Sequence, residues 1–130
     1  MLKGEKGEYQ AKNIIIATGA HARPIGCKGE AEFLGRGVSY CAVCDGPFFK
    51  EKTAAVVGGG SAALQDALYL AGICSKVYLI HRRDTFRAEK SLIDQVMAEE
   101  NIECVMESRV TALIGEKKLT ELEVTNFSKK

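Results

Sequence analysis

The stretch from Thr53 to Ile73 leaves few folds open. Thr53-Ala54-Ala55-Val56-Val57 is a short run of small and β-branched residues, followed by Gly58-Gly59-Gly60-Ser61-Ala62-Ala63. Leu64, Ala67, Leu68 and Ala71 then recur at helical spacing. The order is strand, glycine turn, helix, with Gly58, Gly60 and Ala63 on the small positions of a G-x-G-x-x-G/A fingerprint. Gly58 lets the chain turn sharply off the strand, Gly60 removes a side chain that would block a pyrophosphate, and Ala63 lets the helix lie close on the sheet. The helix N-terminus offers unpaired N–H groups and partial positive charge to phosphates. A tight turn alone explains three glycines equally well; the flanking strand and helix tip the balance toward dinucleotide binding.

The periodicity beyond this unit extends it. Gly72 suits a helix C-terminus, and Lys76-Val77-Tyr78-Leu79-Ile80 is the second parallel strand of a βαβ unit. From Ala88 to Glu100, Leu92, Ile93, Val96 and Met97 share one face against Glu89, Lys90, Asp94, Gln95 and Glu99. That pattern predicts an amphipathic helix ended by Asn101. Ile102–Met106 reads as a third strand, and residues 109–114 and 119–125 as a hairpin about Gly115-Glu116-Lys117-Lys118, with one wet face. The expected fold is α/β: a Rossmann-like three-layer βαβ nucleotide-binding domain with a parallel central sheet and an added antiparallel hairpin. Residues 1–12 are polar and have no evident reason to fold. Asn13–Ala20 is a buried-type strand that wants cover on both faces, expected to join a sheet the chain does not itself supply. Residues 21–37, with Pro24 and four glycines, read as a linker.

A chain of 130 residues buries one good core. A net charge of +1 excludes global steering toward nucleic acid, so any basic site is local. No apolar run approaches the roughly 18 residues of a membrane span, and the first residues carry no signal-peptide core. Five cysteines, one close pair and three singles, fit a reducing compartment better than a stapled secreted domain. The expected location is the cytoplasm.

Two further clusters carry chemistry. About 20 residues past the glycines, a fold of this type places an acidic residue when it binds NAD. Here the position holds His81-Arg82-Arg83, with Arg87 one helical turn later. Guanidinium groups match a 2′-phosphate by charge and forked geometry. Two charge-assisted hydrogen bonds of about 1.5–3 kcal/mol each favour NADP by at least about a hundredfold. A solvated basic turn, paired with Asp84 or Glu89, is the plainer alternative. The pair Cys41 and Cys44 suits a redox dithiol, half a zinc site, or chance proximity. Zinc wants four ligands, and Cys27, Cys74 and Cys104 are scattered, with only His21 and His81 to add; no metal site is expected. In a C-x-x-C motif a thiol's pKa can fall below its free value of about 8.5. Asp45 can serve as the proton donor and acceptor that exchange requires, or Asp45-Gly46 is simply a turn. The three single cysteines are assigned to packing.

Together, Ala17-Thr18-Gly19-Ala20, Cys41-Ala42-Val43-Cys44-Asp45-Gly46, Gly58 to Ala63 and His81-Arg82-Arg83-Asp84-Thr85-Phe86-Arg87-Ala88 resemble the middle of a bacterial-type, low-molecular-weight thioredoxin reductase. The resemblance covers nearly the whole chain. It implies a homodimeric flavoenzyme passing electrons from NADPH to FAD, then to the dithiol, then to a thioredoxin-like disulfide protein. Cys44 resembles the thiol that contacts the flavin, Cys41 the one that attacks the partner, and Asp45 the acid–base residue. Gly58, Gly60, Ser61 and Ala62 match the pyrophosphate turn, and His81, Arg82, Arg83 and Arg87 the 2′-phosphate and adenine side. Thr18 and Gly19 match a turn that closes on FAD. The family's own FAD fingerprint and its C-terminal segment are not in this sequence. Residues 1–22 are therefore expected to be the last strand of a first FAD segment and the start of a linker. Residues 23–130 are the NADPH-binding domain carrying the dithiol, and turnover by this piece is not expected. The rival readings are a flavoprotein reductase of a peroxide-reducing partner and a stand-alone NADP-binding or redox-sensing module.

Overall fold

A computed structural model describes residues 1–128. It opens with a small antiparallel hairpin, β1 (Leu2–Gly4) and β2 (Gly7–Tyr9), paired Leu2 to Tyr9 and Gly4 to Gly7. This corrects the expectation of an unfolded start. Glu5 and Lys6 make a two-residue turn, and Lys3 meets Glu8 across the strands at 3.3 Å. Such an exposed pair contributes under about 1 kcal/mol, so the hairpin is a weak one.

Asn13–Ala20 takes no strand pairing among the described residues, which do not supply the sheet it was expected to join. Ile14, Ile15 and Ile16 are 53, 91 and 83% exposed. A fully apolar strand needs neighbours on its edges and cover on its faces, and nothing here provides them. The expected linker is more ordered than its glycines suggested. It contains α1 (Glu30–Phe33), and α2 (Ala42–Asp45) follows, running into a 3-10 turn at Gly46–Phe49.

The nucleotide-type unit forms as its periodicity dictates: β3 (Thr53–Val57), α3 (Ser61–Ala71), β4 (Lys76–Ile80), α4 (Lys90–Ala98) and β5 (Ile102–Val105). The three strands are parallel in the order β3-β4-β5, with Thr53 beside Lys76 and Val77 beside Ile102. β6 (Ser108–Gly115) and β7 (Leu119–Asn126) make the expected hairpin, in register from Ser108–Asn126. Asn101 does not end α4. Its side-chain amide donates to the carbonyls of Ala71 (2.8 Å) and Cys74 (3.2 Å), satisfying the end of α3 instead. Gly72 caps α3 with right-handed dihedrals (φ −73°), so the left-handed freedom of glycine is unused there.

Alternation along β4 divides the core in two. Val77 and Leu79 face α3 and α4, joining Val56, Leu64, Ala67, Leu70, Cys74 and Val96. Tyr78 and Ile80 face the other way, joining Phe33, Val110 and Leu113 beneath the hairpin and α1. This is the period-2 logic of a strand buried on both faces. Each large apolar side chain so buried contributes about 1.5–3 kcal/mol. The three layers are thus a helix pair, a parallel sheet, and a hairpin with α1.

Candidate functional site

The glycine turn leaves β3 and enters α3, and each glycine meets a different neighbour. Gly58 has φ +153°, and a Cβ there would lie 2.7 Å from the Cβ of Ala63. The pair is matched: both must be small for the turn to lie on the helix. Gly59 is packed beneath an imidazole, since its Cβ would come within 2.2–2.4 Å of the His81 ring. Gly60 has no such reason. It is extended (φ −95°, ψ 177°), and its Cβ would meet only the Arg87 carbonyl oxygen, at 3.9 Å. No side chain caps α3, so the first N–H groups of the helix, around exposed Ser61 and Ala62, are left without intrahelical acceptors.

The basic loop is fastened against this turn. The Arg87 N–H donates to the Gly59 carbonyl at 2.7 Å, and Gly60 and Arg87 form a parallel bridge. Arg82, Arg83 and Arg87 are exposed, and among the described residues no carboxylate pairs with them; Asp84 and Glu89, the counter-charges of a merely solvated turn, do not. His81 is different from its neighbours. It is 8% exposed, stacks on Phe86 at 5.7 Å, and lies 3.0 Å from the Thr85 carbonyl through Nε2. A carbonyl only accepts, so Nε2 carries the proton. The ring is a wedge between the glycine turn and the arginine loop, and its edge is turned inward.

Cys41 and Cys44 form a disulfide with Cα atoms 5.3 Å apart. Cys41 caps α2, its sulfur accepting from the Cys44 N–H at 3.2 Å. Cys44 is exposed and Cys41 half-buried. The Asp45 carboxylate accepts from the Ser39 hydroxyl, which in turn accepts from the Cys41 N–H at 3.0 Å. Ser39 escaped the sequence reading; a serine two residues before a helix cap was its only signal. Glu30 escaped it too. This carboxylate is 6% exposed and accepts from the Ile25 and Gly26 N–H groups (2.9 and 2.7 Å) and from the Tyr40 hydroxyl (2.9 Å). Burial alone would raise its pKa, but these three donors reverse the effect and hold it below the ordinary carboxylate value. The clasp ties the approach segment to the residue just before Cys41.

The remaining thiols fit packing. Burial pushes Cys27, Cys74 and Cys104 up, with the Glu30 charge adding to the rise at Cys27, opposite to the lowered pKa of an activated thiol. Among the described residues no three or more His, Cys, Asp or Glu side chains gather as a metal site, and no helix is long and apolar enough to cross a membrane. Thr18 and Gly19 are exposed in the extended stretch before Cys27; Gly19 has φ +82° and open space where a Cβ would stand. The structure brings the glycine turn and the arginine loop together. It holds the dithiol apart from them: a Cβ on Gly46 would touch Leu70, Tyr69 and Ile73, at the far end of α3.

An uncapped βαβ helix start, an exposed arginine loop fastened by its main chain to the glycine turn, and a C-x-x-C disulfide on the same chain are the features of a nucleotide-linked disulfide oxidoreductase module. Residues 1–130 match the family model described as pyridine nucleotide-disulphide oxidoreductase, and the chain belongs to that family. It is 46% identical over 116 residues to a thioredoxin reductase of Treponema pallidum, covering 89% of this chain and 38% of that protein. It is 57% identical over 97 residues to a Pseudomonas fluorescens protein named glucosaminate ammonia-lyase, covering 75% and 30%. The crystal structure of Lactococcus lactis thioredoxin reductase in its FR conformation superposes with a TM-score of 0.85 at 40% identity, over 96% of this chain and 42% of that one. The chain thus spans about a third of the length of the curated relatives it matches.

Proposed function

We propose that this chain is the NADPH-binding, dithiol-bearing part of a flavin-dependent thioredoxin-disulfide reductase. One observation carries the reading. Gly60 has open space where a side chain would stand, at an uncapped helix N-terminus, and the loop carrying exposed Arg82, Arg83 and Arg87 is fastened beside it by the Arg87 main chain. Gly58, Gly60, Ser61 and Ala62 then receive the pyrophosphate, and Arg82, Arg83 and Arg87 the 2′-phosphate. His81 serves this site by wedging its two walls apart.

The dithiol delivers the electrons. With the pair reduced, the Cys41 thiolate attacks one sulfur of a thioredoxin-like disulfide, forming a mixed disulfide and releasing the partner's other sulfur as thiolate. Cys44 then attacks the Cys41 sulfur, which restores the 41–44 bond and releases the second partner thiolate. Two electrons leave the pair, and the two released sulfurs take up two protons, with Asp45 as the local proton donor. In the whole protein a bound flavin supplies two-electron transfer between coenzyme and disulfide. Thr18 and Gly19, small and open, suit its close approach. On this reading residues 1–22 belong to the flavin-side segment and 23–130 to the coenzyme domain of a cytoplasmic homodimer.

Side-by-side titration of this chain with NADPH and NADH tests the coenzyme assignment, with NADPH expected to bind at least about a hundredfold tighter. Equal affinities would end it. For the full-length protein, NADPH-driven reduction of thioredoxin against ammonia release from glucosaminate separates the two activities named among the relatives.

A further inference from the structure

The hairpin β6–β7 carries none of the residues assigned above, yet its base grips the arginine loop. His81 is held on both sides: its N–H donates to the Val105 carbonyl and its carbonyl accepts from the Ser108 N–H, each at 2.9 Å. The Glu107 N–H donates to the Arg83 carbonyl at 3.0 Å. Glu107 makes that bond from a left-handed conformation, φ +50°, which costs a side-chain-bearing residue energy and persists only where the surroundings over-determine it. The surroundings are a part-buried polar knot centred on Ser108. Ser108 is 1% exposed and its hydroxyl donates to the Met106 carbonyl at 2.7 Å. The Asn126 amide donates to the Ser108 hydroxyl (2.9 Å) and to the Met106 carbonyl (3.2 Å). The Phe127 N–H closes the knot on the Glu107 carbonyl at 2.7 Å, with the Arg109 guanidinium over the Phe127 ring at 5.5 Å.

We propose that this corner, Met106–Ser108 locked by Asn126, is a specificity-determining support that aims Arg83 and so sets the preference for a 2′-phosphorylated coenzyme. The inference rests on the reading of the arginine loop as the 2′-phosphate site. An arginine fork recognises phosphate only from a well-placed stem, and the main chain of Arg83 is placed by Glu107. Glu107 and Asn126 are positioning residues; neither is assigned a contact with the coenzyme.

The test compares Kd values for NADPH and NADH in the full chain, for wild type and for Glu107→Gly, Glu107→Val, Asn126→Leu and Asn126→Asp, with thermal melts to confirm folding. Glycine keeps the N–H and adopts φ +50° freely, so Glu107→Gly is expected to keep the wild-type preference. Valine resists that conformation, and leucine removes both amide donors. Glu107→Val and Asn126→Leu are each expected to weaken NADPH roughly tenfold or more, the loss of about one charge-assisted bond, with NADH within about twofold. Asn126→Asp carries the test should Glu107→Val not fold. A wild type without NADPH preference overturns the site reading itself. A wild-type preference that survives in the folded Val, Leu and Asp variants overturns the corner's role alone, as does equal weakening of both coenzymes.

Discussion

Gly60→Ala separates a glycine kept for a ligand from one kept for the fold. The dihedrals of Gly60 are open to alanine, and the new methyl meets nothing closer than the Arg87 carbonyl oxygen at 3.9 Å. A Gly→Ala change at a compatible position stabilises by about 0.4–1 kcal/mol through the unfolded chain. For a domain of this size that raises Tm by roughly 1–4 °C. On the proposed reading the same methyl stands where the pyrophosphate approaches, and crowding by one methyl typically costs about 1–3 kcal/mol. Coenzyme binding should then weaken roughly 5- to 150-fold, equally for NADPH and NADH, which share the pyrophosphate. Gly58→Ala and Gly59→Ala should behave oppositely, lowering Tm, because their methyls collide with Ala63 and His81. Calorimetric titration and thermal melts on the three variants give the answer. Unchanged binding by Gly60→Ala would remove the phosphate from this turn; a lowered Tm would mean that the glycine serves the protein's own packing.

Replacing Arg82, Arg83 and Arg87 together should weaken NADPH by about a hundredfold or more while NADH changes little, and added salt should narrow the wild-type preference in the same direction; parallel losses would remove the 2′-phosphate assignment. Glu30→Gln should destabilise by about 1.5–3 kcal/mol, because each carboxylate oxygen accepts from a backbone N–H, of Ile25 or Gly26, and an amide nitrogen at either place cannot accept. The folded pKa of Glu30 lies below its unfolded value, so its contribution is complete above the unfolded carboxylate range and is lost as pH falls through the folded pKa. The Tm gap between wild type and Glu30→Gln should accordingly close on acidification; a gap constant through the carboxylate range would assign the effect to shape rather than charge. Deleting residues 1–20 should lower Tm little, since Ile14–Ile16 pack on nothing described; a large drop would place that stretch in the core.

The elements legible in the sequence are those whose cause is local. β3, the glycine turn, α3 and β4 each carry their own period or steric requirement, and the hairpin carries its turn, so their ends fall within a residue or two of expectation. What is not legible has a different cause. Asn13–Ala20 has a strand's composition, but a strand is a relation between segments, and no partner edge lies among the described residues. The requirement at Gly59 comes from an imidazole 22 positions later. Asn101 has the character of a stop for α4, yet its side chain closes α3 instead. Glu30 stands alone among glycines, and its three donors come from residues four to ten positions away on both sides. None of these pairings leaves a periodic trace.

The same long-range view bears on how electrons travel. The proposed phosphate site lies at the Ser61 end of α3, whereas the segment just after Cys44 and Asp45 packs against Tyr69, Leu70 and Ile73. Eight residues of helix separate Ser61 from Tyr69, about 12 Å at 1.5 Å per residue. Redox bond exchange needs reacting atoms about 3–3.5 Å apart; on the proposed reading the coenzyme is anchored at one end of α3, the disulfide lies toward the other, and a flavin of the whole protein is the carrier between them. NADPH added to this chain alone should therefore leave the 41–44 bond intact, even at saturation of the coenzyme site. Thiol counting after mixing, alongside the loss of NADPH absorbance, reads this directly. A flavin-independent, stoichiometric appearance of two thiols would show that the coenzyme reaches the disulfide within this domain, and the need for an intermediate carrier would fall with it.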